Sequence, residues 1–407
     1  MPSVHAPTDD APSRRARRPL PEFLHDEAVG GVVLLVATVV ALVWVNSPAG
    51  DLYERLWHAS LTIGSGPAAI SDDLQHWVND AAMVLFFFLV GLEIKRELAV
   101  GELREPRAAA LPVVAAVGGV VVPAALYLGI AGGTPAASGW GIPMATDIAF
   151  AIGVLAVLGR WIPAGARLFL LSVAIVDDII AVVVIAIAYS GALSFGWLAA
   201  ALGGLALVVV MRRAGTTWVA AYVVVGVLVW YAMFHSGVHA TIAGVALGLL
   251  TPASPVNGRR VLEDLEHYVH PVAAFVVVPL FALANAGVDL RGGVVVDALS
   301  SRPVWAVVVG LLVGKTVGIG AAVFAARRLG LVSLPADVPG RVVWGLATLA
   351  GIGFTVSLFI TGLAFDDPAL IGQAKVGILT GSALAAAVGA GLLRLTRERA
   401  STPRRID

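Results

Sequence analysis

Residues 171–189 read LSVAIVDDIIAVVVIAIAY, an apolar run with Asp177 and Asp178 near its middle. A helix needs roughly 20 apolar residues to cross the hydrocarbon layer, so this segment reads as a membrane span. A charge at that depth costs at least ~2.5–3.5 kcal/mol on insertion scales, so such residues line a path or bind something. Consecutive helical positions lie about 100° apart, so Asp177 and Asp178 cannot point the same way. One can face an aqueous cavity while the other faces a neighbouring helix.

The rest of the chain has the same character. It has 407 residues, 58% of them hydrophobic and only 13% charged, and its mean hydropathy is +0.90. Soluble domains carry roughly 25% charged residues, so most of this surface does not face water. The net charge is zero and the basic residues form no stripe, which argues against a nucleic-acid partner. Cysteine is absent, which removes disulfides, thiolate chemistry and cysteine metal sites together. Residues 1–27 are polar and rich in proline and arginine, and are expected to form a disordered cytoplasmic tail rather than a signal peptide.

Apolar segments follow at about 28–46, 78–94, 108–130, 137–159, 166–188, 196–211, 217–235, 237–250, 271–288, 303–326, 340–363 and 374–393. Backbone amides cannot stay unpaired in lipid, so an all-α polytopic membrane protein of about twelve transmembrane helices is expected. The segments at 237–250 and 196–211 look short. With the N-terminus placed inside, 22 of the 27 basic residues fall at cytoplasmic ends. Arg55, Arg291, Arg302 and Lys375 fall outside, and Lys315 lies within a helix. One transporter domain over 28–393 is expected, with a cytoplasmic tail at 394–407 and both termini inside.

Two further charges lie at mid-depth: Asp147 in GIPMATDIAFAIGVLAVLG (141–159) and Lys315 in WAVVVGLLVGKTVGIG (305–320). Any one of them could serve a structural ion pair, but three acids and a lysine have no packing rationale together. Carboxylates are the hard oxygen ligands that a small alkali cation wants, and they also bind protons.

Two helices look broken. Gly141 and Pro143 precede Asp147, and Gly351 and Gly353 precede Thr355 and Ser357. Proline removes an amide donor and glycine loosens a helix, so both points can unwind. These helices are the middle members of two triplets, 108–188 and 303–393, of opposite orientation. Inverted triplets with interrupted, crossing helices are a secondary-transporter arrangement. Gly310, Gly314 and Gly318 recur every four residues, as do Gly377, Gly381, Ala385 and Gly389, a spacing that allows close helix packing.

Six segments in order carry a resemblance: VGLEIKREL, PMATDIAFAIGVLAVLG, AIVDDIIAVVVIA, SGVHATIAGV, HPVAAFVVVPLFALANAG and GIGFTVSLFI. From about residue 25 to 393 the chain resembles the NhaA sodium/proton antiporters, a family that is itself a known case of inverted repeats. The resemblance implies a pH-regulated, electrogenic exchange of Na⁺ or Li⁺ for protons at the bacterial inner membrane, with no bound cofactor. It also implies a homodimer joined through a small periplasmic hairpin, here placed near Trp57–Gly64.

By motif, Asp178 resembles the essential ion-binding carboxylate, and Asp177 its partner acid close to the lysine that matches Lys315. Thr146 and Asp147 resemble the residues at the helix crossing, with Gly351, Gly353 and Thr355 in the facing interrupted segment. Glu93, Arg96, Glu97, Glu266, His267 and His270 match a cytoplasmic cluster implicated in pH regulation, and His239 matches another pH-linked residue. Read unaided, His239 is equally a hydrogen-bonded helix histidine. Met144 stands where a smaller residue is usual and is expected to alter cavity width. A sodium-coupled solute symporter is the alternative reading. An intramembrane hydrolase lacks the residues it would need.

Overall fold

Apolar helices dominate because backbone amides and carbonyls in lipid must pair within their own segment. The computed structural model describes residues 20–401 apart from 65, 67–68, 160–161, 292–297 and 299, with side chains from residue 29 to 396. The tail residues 1–19 and 402–407 lie outside the described residues, as does Arg160 of the basic pattern.

The described part opens with α1 (Leu20–Val45), which bends by 114° into the short α2 (Gly50–Trp57). Residues 20–27, assigned to the tail by sequence, are therefore helical. Strands β1 (Ser60–Ile63) and β2 (Ile70–Asp73) form an antiparallel hairpin with Ser60 opposite Asp73. The hairpin expected at Trp57–Gly64 thus lies further along, and that window holds only its first strand. The second was missed because ISDD lacks the β-branched alternation of a strand.

Long apolar helices follow as α3 (Leu74–Val100) and α4 (Pro106–Ala131). A 3₁₀ segment, Pro135–Met144, then leads into α5 (Ile148–Leu158), and α6 (Ala164–Ala188) completes the first triplet. Next come α7 (Phe195–Arg213), α8 (Val219–Phe234), α9 (Ile242–Leu250) and α10 (Val261–Asn285). The second triplet consists of α11 (Arg302–Arg328), the pair α12 (Gly340–Leu349) and α13 (Phe354–Ala364), and α14 (Pro368–Ser401).

Among the described residues, seven of these helices are long and apolar enough to cross a bilayer, and the two broken pairs bend by 46° and 48°. The segment near 196–211, expected to be short, is a full-length helix. The one near 237–250 is short, with nine helical residues. Helix α10 begins ten residues before its expected apolar start and runs through Pro271, with a π-helical stretch at Ala273–Val277 following the proline.

Large aliphatic side chains such as Val32, Val36 and Val43 on α1 and Val223, Val224 and Val227 on α8 remain exposed. Faces of that kind are stable against lipid tails and costly against water. Small residues set the interior approach. Helices α4 and α11 cross where a Cβ on Gly318 would sit 2.2 Å from the carbonyl oxygen of Gly118. Gly310 packs on Pro143 and Gly314 on Pro123, so the four-residue glycine repeat is a packing seam.

Candidate ion-binding site at the crossing of two broken helices

The two breaks meet. The backbone leaves helical form at Ala145 before α5 and again through Gly351 and Ile352 before α13. The amide of Asp147 donates to the carbonyl of Ile352 at 2.6 Å. The Ser357 hydroxyl donates to the carbonyl of Ile142 at 2.6 Å. A Cβ on Gly353 would sit 2.7 Å from the Ala145 carbonyl, and one on Gly351 only 2.2 Å from that of Leu311. Glycine is required there because backbone approaches backbone.

This geometry turns the N-termini of α5 and α13 towards one carboxylate. Asp147 Oδ1 accepts the Phe150 amide at 3.1 Å and so caps its own helix. Its Oδ2 accepts the Thr355 amide at 3.1 Å and the Thr355 hydroxyl at 2.7 Å. Each helix N-terminus carries partial positive charge and unpaired amides, so one anion between two of them satisfies both.

Helix α6 delivers Asp177 and Asp178 to the same level, and their 100° separation sorts them. Asp177 is fully buried and pairs with the Lys315 ammonium at 2.5 Å, both side chains being 0% exposed. The Thr146 hydroxyl lies 2.7 Å from Asp177 Oδ2 and 2.8 Å from the Ala350 carbonyl. Thr146 thus ties the first break, α6 and the end of α12 together.

Asp178 faces the other way, into a cavity that it shares with Thr146, Asp147 and Thr355 and, further out, with Glu93, Arg96 and His270. Its Oδ1 is buried with no hydrogen-bond partner. Asp177 and Lys315 are not among the cavity-lining residues.

The residues matched to a pH-linked cluster are only partly together. Arg96 pairs with Glu266 at 2.7 Å, with Glu97 more distant at 3.9 Å. Glu97 also accepts the Glu102 amide just beyond the end of α3. His267 points away from the cavity, exposed, with its ring against Tyr268. His239 stands apart from this group. Its Nε2 lies 3.1 Å from Asp80 and its Nδ1 2.8 Å from the Thr241 hydroxyl, and its ring packs edge-on to Phe359 of α13.

Several participants escaped the sequence reading. Asp80, not singled out by sequence, partners His239. Asn79 and Asn285 exchange side-chain hydrogen bonds between α3 and α10, where only the absence of charge hid them. Met144, expected to alter cavity width, is fully buried and is not among the residues lining the cavity.

Comparison with known proteins fits this geometry. Residues 21–393 match the family described as Na+/H+ antiporter 1. The chain is 46% identical to Na(+)/H(+) antiporter NhaA 1 of Erythrobacter litoralis, over 95% of each chain. It is 44% identical to Na(+)/H(+) antiporter NhaA of Cupriavidus necator, over 93% of this chain and 90% of that one. It is likewise 44% identical to Na(+)/H(+) antiporter NhaA 3 of Frankia alni, over 98% of this chain and 94% of the relative. A multi-pass membrane protein with two triplets, each holding a broken middle helix that crosses the other, this chain belongs to the NhaA family of sodium/proton antiporters.

Proposed function

We propose that this chain is a secondary transporter, not an enzyme, that exports Na⁺ or Li⁺ across the bacterial inner membrane in electrogenic exchange for protons. The observation that carries the reading is Asp178: of the two adjacent aspartates, each with a buried oxygen that has no hydrogen-bond partner, it is the one that lines the cavity, beside Thr146, Asp147 and Thr355 in an otherwise largely apolar wall. Such a group is stable when it holds a proton or a cation, and costly when it holds neither. Asp178 is the shared site, occupied by Na⁺ or by H⁺ in turn. Asp147, Thr146 and Thr355 supply further oxygens around the same cavity. Asp177 and Lys315 form the neighbouring pair that holds the electrostatic balance.

Alternating access follows from the broken helices. Motion of one triplet against the other re-aims the crossing while Asp147 keeps both helix ends neutralised. Glu93, Arg96 and His270 line the cavity as its pH-responsive end, with Glu266 and Glu97 acting through Arg96 and His239 acting from the opposite end of α3. Both termini are cytoplasmic, which the distribution of arginines supports. The chain pairs as a homodimer through the hairpin Ser60–Asp73.

The experiment is transport in proteoliposomes. Sodium added without organic solute should collapse an imposed pH gradient. A strict need for an organic solute would instead mean symport.

A further inference from the structure

The root of the β-hairpin gathers ligating side chains far from the ion path. Asp72 and Asp73 end β2, and His76 follows one turn into α3. Among the described residues, this is the one group of three or more His, Asp and Glu side chains whose ligating atoms all lie within 4.8 Å of one another. His76 Nδ1 lies 2.7 Å from Asp73 Oδ1 and 3.5 Å from Asp72 Oδ1.

A fourth group comes from another segment. His58, just past α2, places its Nδ1 3.1 Å from Asp73 Oδ2 and its Nε2 3.3 Å from Glu54. The backbone holds the arrangement. Asp73 is the N-cap of the helical turn and accepts the His76 amide at 2.8 Å. The Trp77 indole donates to the Leu61 carbonyl at 2.9 Å, locking the first strand against α3.

We propose that Asp72, Asp73 and His76 bind a divalent transition cation of the zinc class, with His58 orienting Asp73. One imidazole and two carboxylates suit Zn²⁺, Co²⁺ or Ni²⁺, whereas transported Na⁺ gains nothing from a nitrogen ligand. A tetrahedral shell with bonds near 2.1 Å has neighbouring ligands roughly 3.4 Å apart. His76 and Asp72 stand 3.5 Å apart, while the 2.7 Å contact of His76 with Asp73 is a hydrogen bond that the cation replaces as the two side chains open. Binding replaces the imidazole proton at Nδ1 with the cation and releases that proton to water. His58 then plays the part of an outer-shell group, hydrogen-bonded to a ligating carboxylate. His76, which lies beyond the hairpin that pairs the dimer, has its side chain 58% exposed in the single chain, so water can complete the shell from its side. Its consequence is mechanical: the cation clamps the hairpin to the start of α3, the helix that also carries Glu93 and Arg96.

The test uses tag-free, full-length protein in detergent with millimolar Mg²⁺ present. Titration with Co²⁺ should give a saturable visible spectrum at one ion per chain, and Zn²⁺ should displace it. Zn²⁺ should also raise the melting temperature, with EDTA reversing the rise. His76→Ala should weaken binding by about tenfold or more and His58→Ala by less, with Na⁺/H⁺ exchange in metal-free buffer unchanged in both. Binding that is unaltered by His76→Ala, or that Mg²⁺ abolishes, would overturn the proposal, as would no binding at all.

Discussion

Asp147 accepts from Thr355 twice, through the backbone amide and through the hydroxyl, and so joins the N-terminus of one broken helix to that of the other. The Phe150 amide donates to its second oxygen, so these three contacts are all made by donors. An amide in its place would turn an NH₂ group towards at least one of them.

Asp147→Asn is therefore expected to destabilise the crossing by about 1–3 kcal/mol, combining a weakened cap with lost charge neutralisation. Thr355→Val should cost about 1 kcal/mol, because the backbone amide still reaches Asp147. Melting temperature in detergent separates the two. Equal losses would mean that the hydroxyl, and not the carboxylate, holds the crossing.

Asp178 behaves oppositely, since its Oδ1 makes no hydrogen bond that a substitution could break. Asp178→Asn should nearly abolish exchange while expression, insertion and melting temperature stay near those of the parent. Robust exchange by this variant would remove Asp178 from the role of carrier.

The pair behind it is a stability element. Lys315→Ala leaves Asp177 buried without its cation, a loss of roughly 3–5 kcal/mol for a desolvated pair. Combining it with Asp177→Asn should recover part of that loss, because no uncompensated charge remains. Unchanged stability with vanished transport would instead make Lys315 chiefly a proton carrier.

Helix contact sets a further limit. Gly318 and Gly118 face each other so closely that a Cβ on Gly118 would lie 2.3 Å from the Gly318 carbonyl. Gly318→Leu should push α4 and α11 apart and cost at least the ~1–3 kcal/mol of an overpacked core. Gly372, whose added Cβ would meet nothing within 4 Å, is the control, and its change to Ala should leave folding intact. The measurement is the fraction of each variant that remains monodisperse after extraction.

Much of this was legible because lipid leaves a chain few options. Apolar length announced the spans, and charges at mid-depth announced Asp147, Asp177, Asp178 and Lys315. The 100° rule anticipated that only one of the adjacent aspartates meets the cavity. What stayed hidden depends on contacts between distant segments. Asp80 stands out only once His239 is seen beside it, and Asn79 with Asn285 carries no charge to draw the eye. The hairpin was misplaced because a two-stranded ribbon outside the membrane obeys neither apolar length nor helical period. Met144, buried behind the lining, shows that side-chain direction cannot be read from sequence where the helical period is broken.

If Na⁺ and H⁺ occupy Asp178 in turn, each must leave before the other binds, and their opposite movements are coupled without an extra gate. Acidic solution keeps the site protonated, so sodium fails to compete. Raising the pH should then lower the apparent sodium KM, and the effect should level off once the carboxylate is ionised without help. Exchange of one Na⁺ for more than one H⁺ carries net positive charge inward, so an inside-negative potential should speed the cycle. Each elementary charge moved is worth ~2.3 kcal/mol per 100 mV. Currents on a solid-supported membrane, taken across a series of pH and sodium concentrations, read both effects. Zero current at every pH would exclude electrogenic exchange. A sodium KM equal in acidic and alkaline buffer would reject the shared site, even with both ions transported.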